Sequence, residues 1–199
     1  LLEEGLARGQ GMAEARVLLA EILRNSGEVT RAKKLLAEAL QIAPQLYEAN
    51  LSMGLVSDME GKHEESLKWL KKAVGIDHHR PEARLALGRL YAQLDNWGDA
   101  AREFEMALQA EPENPRLYSE LGIAYLRHGL FEKAREAFIS EMKLDPTAPE
   151  PLLRLAALEE TMGNTETAIK LYHRALILDR KGRYTTDVEK ILERLKSSR

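Results

Sequence analysis

Cysteine is absent from the 199 residues, which excludes disulfides, thiolate nucleophiles and Cys-ligated metals. That absence favours the cytosol, where thiols stay reduced, and is equally compatible with a periplasmic domain. An excess of charge of one sign is also lacking. Lys and Arg number 29 against 32 Asp and Glu, for a net charge of -3. A pI near 6.0 leaves no basic footprint for a polyanion, so nucleic acid is not an expected partner. Long apolar runs are missing as well. The longest stretches free of Asp, Glu, Lys and Arg are Ala39 to Tyr47 and Ala49 to Ser57, far below the roughly 18 apolar residues that a membrane span needs. The chain opens on Leu1 rather than methionine, so it reads as a piece of a longer chain, with any signal peptide or neighbouring domain outside it. With 44% hydrophobic and 31% charged residues, it is too apolar to be disordered.

What is present is a repeat. Small residues recur at Ala20, Gly54, Gly88, Gly122 and Ala156, each preceded by a large apolar one at Leu19, Met53, Leu87, Leu121 and Leu155. Twelve residues further on stand Ala32, Ser66, Ala100, Ala134 and Ala168, and four beyond those Leu36, Leu70, Phe104, Phe138 and Tyr172. Every step is 34 residues, without a slip of phase. Between the two halves of each unit sits Gly27, Gly61, Asp95, Gly129 or Gly163, able to end one helix and turn the chain into the next. Pro44, Pro112 and Pro146 close three units where a helix should stop. The spacing predicts five helical hairpins, at residues 13–46, 47–80, 81–114, 115–148 and 149–182.

This pattern resembles the tetratricopeptide repeat family, with its large-small pair, mid-repeat glycine, paired small residues and closing proline. Five consecutive units cover 170 of the 199 residues. The resemblance implies an all-α fold: a right-handed superhelix of antiparallel helix pairs whose first helices line a concave groove. Stacking is required physically, because one unit cannot bury its own apolar face.

The ends follow from the same frame. Residues 183–199 read as a C-terminal capping helix, with Thr186 and Glu189 as a capping box and Val188, Ile191, Leu192 and Leu195 as one apolar stripe. Residues 180–199 hold seven Lys and Arg against three Asp and Glu, which a solvated capping face accommodates. Residues 1–12, with Leu1, Leu2 and Leu6, are expected to be part of the second helix of a preceding unit or an N-terminal cap.

No catalytic constellation is found, and no enzyme, metal or cofactor is expected. The histidines are His63, His78, His79, His128 and His173, and none stands four residues from another, as a helical metal pair requires. His63-Glu64 would need its second histidine where Leu67 stands. Gly9-Gln10-Gly11 lacks the third glycine and the preceding strand of a phosphate loop. Asn50-Leu51-Ser52 matches a glycosylation acceptor by chance, inside a helix. The aromatics Trp69, Tyr91, Trp97, Phe104, Tyr125, Phe131 and Phe138 are mostly assigned to core packing, since most recur in register with apolar residues.

Function is therefore sought on first-helix positions that the repeat does not need for packing. Those positions form an apolar stripe, Val17, Leu51, Leu55, Leu85, Ile123, Leu126 and Leu153, with Arg89, Arg116, Arg127 and Arg154 beside it. The expectation is a non-enzymatic interaction module whose groove binds a peptide or amphipathic helix of a partner protein, arginines receiving carboxylates. The competing expectation is that the leucines pack between successive first helices. A homo-oligomeric scaffold, or the recognition arm of a larger enzyme or of a bacterial export or assembly machine, are the other readings. Family members that capture acidic chaperone C-termini use two lysines, an arginine and two asparagines on three successive first helices. Here those places hold Val17, Glu21, Ser52, Glu82 and Ala86, or Leu85, Arg89, Glu120, Glu150 and Arg154 in a frame starting at the third unit, so the resemblance stops short of a chaperone clamp. Glu141 stands where Ala39, Ala73, Ala107 and Ala175 permit close helix approach. It needs a cation or solvent, and Arg154 is the candidate partner.

Overall fold

The structure, a computed structural model, describes residues 2–197, with side chains described at residue 9 and from 11 onward. Helices α1 (Leu2–Asn25) and α2 (Val29–Ile42) form the first hairpin, α3 (Tyr47–Met59) and α4 (His63–Ile76) the second, and α5 (Pro81–Gln93) and α6 (Trp97–Ala110) the third. The fourth is α7 (Pro115–Arg127) with α8 (Phe131–Leu144), and the fifth α9 (Glu150–Thr161) with α10 (Thr165–Leu178), followed by α11 (Thr185–Ser197). Among the described residues there is no strand, and the fold is all-α.

Each hairpin turns on a left-handed residue. Gly27, Gly61, Gly129 and Gly163 have φ between 72° and 84°, and Asp95 takes the same role at 56°. At the first of these turns the Gly27 N–H donates to the Arg24 carbonyl at 3.0 Å and the Glu28 N–H to Leu23 at 2.8 Å. This closes the carbonyls that a helix end would otherwise leave open.

The large-small pairing has a steric cause. A β-carbon on Gly54 would lie 2.6 Å from Leu70 Cδ2, one on Gly88 2.5 Å from Phe104 Cε1, and one on Gly122 2.4 Å from Phe138 Cε1. In these three hairpins the bulky residue of the second helix therefore sits directly on the backbone of the first, as in close ridge-into-groove packing. Leu36, Leu70, Phe104 and Phe138 are all fully buried.

The chain divides into two compact units, Leu1–Ala110 and Glu111–Arg199. In the first, α2 packs on α3 and α4 on α5, while α1 also meets α3 and α3 meets α5. Its core holds Val17, Ala20, Leu36, Met53 and Val56 at one end and Leu70, Leu87 and Leu90 at the other. In the second, α8 packs on α9, and Leu117, Phe138, Leu152, Leu158 and Tyr172 are among its buried residues.

Both ends differ in detail from expectation. Residues 2–25 form one unbroken helix, so positions 2–12 prolong the first helix of the first hairpin instead of forming a separate second helix. Leu1 and the side chains of Leu2 and Leu6 lie outside the described residues. At the other end α11 does pack on α10, with Val188, Leu192 and Leu195 buried. The Thr186–Glu189 capping box is displaced, because α11 starts two residues early, with Tyr184 at the cap, and Thr186 lies inside its first turn. The Asp179 carboxylate organises that entry, accepting the Arg183 and Tyr184 N–H groups at 3.0 and 2.7 Å and the Thr185 hydroxyl at 3.2 Å.

Candidate functional site

In the Leu1–Ala110 unit the predicted face is carried by α3 and α5. Leu51, Leu55 and Leu85 are half-buried there, and Arg89 is exposed. Val17 does not belong with them: at 3% exposure it is part of the core with Leu36 and Met53. The reason is the contact of α1 with α3 and of α3 with α5, which partly covers first-helix side chains that a period-3.6 count places outward. Leu51 in particular packs against two core clusters, one of Tyr47, Ala73 and Ala83 and one of Leu70, Leu87 and Leu90. Beside this face Arg80 stacks on the Tyr47 ring, its guanidinium carbon 3.9 Å from the ring centroid, and pairs with Glu48. The Tyr47 hydroxyl accepts the Ala83 N–H at 3.0 Å and donates to Glu82 at 3.3 Å. Burial pushes that phenol up to about 12.

In the Glu111–Arg199 unit Ile123 and Leu126 on α7 and Leu153 on α9 are also half-buried, while Arg116 and Arg127 are exposed. Arg154 is committed to a partner. Its Nη1 donates to both oxygens of Glu141, at 2.9 and 3.2 Å, and Glu141 is only 7% exposed. Burial drives the Glu141 carboxyl above its ordinary value, against the charge of Arg154 and a hydrogen bond from Ser119. Arg154 is thus drawn into internal neutralisation, which weakens it as a receiver of an external carboxylate.

Two partly buried ion pairs were not anticipated. Arg84 on α5 reaches Glu103 at 3.1 Å, and Arg135 on α8 reaches Glu159 on α9 at 2.7 Å, with the Asn164 amide donating to the same carboxylate at 2.7 Å. As lone charges on helices, Arg84 and Glu159 look like surface residues. The repeat frame carries the missing signal. Arg84 is in register with buried Asn50 and Leu152, and Glu159 with buried Leu23, Ser57 and Tyr125.

Exposed apolar side chains on α1 were also missed. Met12, Leu18, Leu19 and Ile22 are 53, 63, 48 and 65% exposed. His78 and His79 stack on each other in an exposed turn, ring centroids 3.9 Å apart. Phe104 and Phe138 are core, whereas Trp69, Tyr91 and Trp97 are half-buried and Phe131 is exposed. Asn50 is fully buried, its amide donating to the Pro44 and Leu46 carbonyls. Among the described residues no group of three or more His, Cys, Asp or Glu is placed to hold a metal, and no helix is long and apolar enough to cross a membrane.

Comparison with known proteins places these hairpins. One tetratricopeptide repeat family model matches residues 13–46 and a second matches residues 85–149. The chain is a tetratricopeptide repeat protein. Its repeats are 27% identical over 170 residues to the human protein O-mannosyl-transferase TMTC1, covering 83% of this chain and 19% of that protein. They are 23% identical over 157 residues to the tetratricopeptide repeat-containing protein trd-1 of Caenorhabditis elegans, 78% of this chain and 20% of the other. The chain thus spans about a fifth of the length of these curated relatives. Among solved structures, MamA superposes with a TM-score of 0.76 at 23% identity, over 81% of this chain and 95% of MamA. YrrB, described as a TPR protein with an unusual peptide-binding site, gives 0.78 at 16% identity, over 94% of this chain and 97% of YrrB. The tetratricopeptide fold is that of a protein-interaction scaffold and is in general non-catalytic.

Proposed function

We propose that this tetratricopeptide array binds a segment of a partner protein on its first-helix faces, as a non-enzymatic scaffold or adaptor. The observation that carries the reading is the state of Leu55 and Leu85: they stand on α3 and α5 beside the buried Met53, Val56, Leu87 and Leu90, yet both keep part of their surface in water. Half-covered leucines on neighbouring helices form shallow seats that an incoming apolar side chain completes, and a few such central anchors dominate binding energy. Leu51 lines the base of the seat, and Arg89 stands exposed one turn along α5 from Leu85. In the other unit Ile123, Leu126 and Leu153 supply seats of the same kind, with Arg116 and Arg127 beside them setting register for a segment that carries carboxylates. Val17 is left out of the surface, and Arg154 serves Glu141. The peptide-binding site in the description of YrrB supports the choice of ligand class.

The test is a pull-down from source lysate that compares the native chain with the Leu55→Glu, Leu85→Glu variant, with retained proteins identified by mass spectrometry and helicity checked by circular dichroism. The expected result is a protein held by the native chain and lost by an equally helical variant. Equal retention by both, or by neither, overturns the reading.

A further inference from the structure

Leu94 breaks a pattern at the end of α5. The residues in register with it are Ser26, Glu60, His128 and Met162, yet this position is a leucine that is 42% exposed. Leu94 lines a cavity of about 520 Å3 together with Gly61 and Lys62 of the α3–α4 turn and His63, Glu64, Glu65 and Leu67 of α4. Leu67 is anchored to the buried cluster of Leu70, Leu87 and Leu90, while Leu94 keeps much of its surface in water. The repeat does not require this leucine pair. In the preceding interval the same two places hold Lys33 and Glu60, which make an ion pair at 2.7 Å. In the Glu111–Arg199 unit they hold Arg135 and Met162, where the guanidinium reaches the sulfur at 3.1 Å. Between α4 and α5 an open hollow with two leucines in its lining takes the place of such a polar bridge. Its volume is in the range that accepts a ligand or a large side chain, and apolar lining left in water marks an interaction surface.

We infer that this hollow is a docking site for a basic segment of a partner protein, one that carries a large apolar residue flanked by lysine or arginine. The charge around the leucines selects that occupant. Five carboxylates, those of Asp58, Glu60, Glu64, Glu65 and Asp95, stand against three ammonium groups, those of Lys33, Lys62 and Lys68. Two of the cations are already held: Lys33 by Glu60 and Glu65, at 2.7 and 3.1 Å, and Lys62 by Glu60 at 2.9 Å. The His63 Nδ1 lies 3.1 Å from Asp58. Glu64 and Asp95 are exposed and make no ion pair among the described residues. One precedes Leu67 by a helical turn and the other adjoins Leu94. An arriving Lys or Arg gains their attraction, whereas an arriving carboxylate meets an excess of like charge. Exposed charges of this kind attract only modestly, so the leucines supply affinity and the carboxylates the choice of partner. The site uses none of the leucines assigned to the first-helix faces and prefers charge of the opposite sign to the segment proposed for Arg116 and Arg127, so the two readings stand or fall separately.

Fluorescence anisotropy with three labelled peptides tests this on the native chain. One peptide is built of leucine and lysine with leucines at helical spacing, the second has glutamate in place of each lysine, and the third has serine in place of each leucine. The leucine-lysine peptide should bind with a Kd between about 10 µM and 1 mM, and the other two at least about tenfold more weakly. Leu94→Ser should weaken the leucine-lysine peptide by about fivefold or more with helicity unchanged, since that side chain is exposed. Glu64→Gln with Asp95→Asn should weaken it by about threefold and lessen its dependence on salt. Leu55→Ser with Leu85→Ser, on the first-helix face, should leave it unchanged. No binding at about 1 mM protein, equal affinity for the glutamate or the serine peptide, a Kd that Leu94→Ser or the paired neutralisation fails to move, or binding lost on the Leu55→Ser, Leu85→Ser variant overturns the inference.

Discussion

Replacing Gly122 by alanine sets two effects of opposite sign against each other at one atom. Alanine is the better helix former, by about 1 kcal/mol in a helix interior. Its β-carbon, however, would fall 2.4 Å from Phe138 Cε1, 2.6 Å from Cδ1 and 3.0 Å from Cζ. Phe138 is fully buried, so its ring cannot turn into solvent, and overpacking of this kind costs about 1–3 kcal/mol. With the ring held on all sides the upper end applies, leaving Gly122→Ala about 2 kcal/mol less stable than the native chain. Phe138→Leu alone opens a void and should cost about 1–2 kcal/mol. The two together recreate the alanine-leucine pair that Ala20 and Leu36 form, both buried, in the first hairpin. The double variant should therefore lie within about 1 kcal/mol of native, a coupling of about 3 kcal/mol between touching sites. Urea unfolding followed by circular dichroism, with midpoints and slopes for all four proteins, measures this cycle. A Gly122→Ala chain as stable as native, or single costs that simply add, would refute the steric account of the large-small pair.

Arg154→Met should cost about 3–5 kcal/mol at pH 7, because it strands the buried Glu141 carboxylate. Since burial holds that carboxyl above its ordinary 4.5, its proton-linked contribution is present below 4.5 and is lost as pH rises through the raised value; the Arg154→Met deficit should shrink toward pH 4, and Glu141→Gln should unfold at higher urea than native at pH 7. Glu159 behaves in the opposite sense: burial alone would raise it, but hydrogen bonds from Arg135 and Asn164 bring it below 4.5. Its stabilisation is therefore present above 4.5 and lost as pH falls through the lowered value, so Glu159→Gln should cost about 1.5–3 kcal/mol at pH 7 and flatten the acid limb of the unfolding curve. Asp95→Gly should gain about 0.5–1 kcal/mol by thermal or urea unfolding, because Asp95 alone among the hairpin turns holds a side chain at positive φ.

The architecture was legible in the sequence because a 34-residue period repeats the same steric requirements five times. A glycine under Phe104 or Phe138, an alanine beside Leu36, and a left-handed residue between helices are local demands, and a repeat prints each of them in register. The Glu141–Arg154 pair was legible for the same reason, as a departure from a column of alanines. What only the tertiary structure decided was which outward positions remain outward. Helical period alone places Val17 beside Leu51, Leu55 and Leu85 on one stripe, yet contact of α1 with α3 and of α3 with α5 takes Val17 into the core and half-covers the others. Leu19 and Ile22 show the converse. Their register predicts burial, and they are bare because burial on that face comes from the second helix of a preceding hairpin, which α1 lacks among the described residues. A side chain's place in the frame follows from its own sequence; its exposure follows from whether a neighbouring helix is there to cover it.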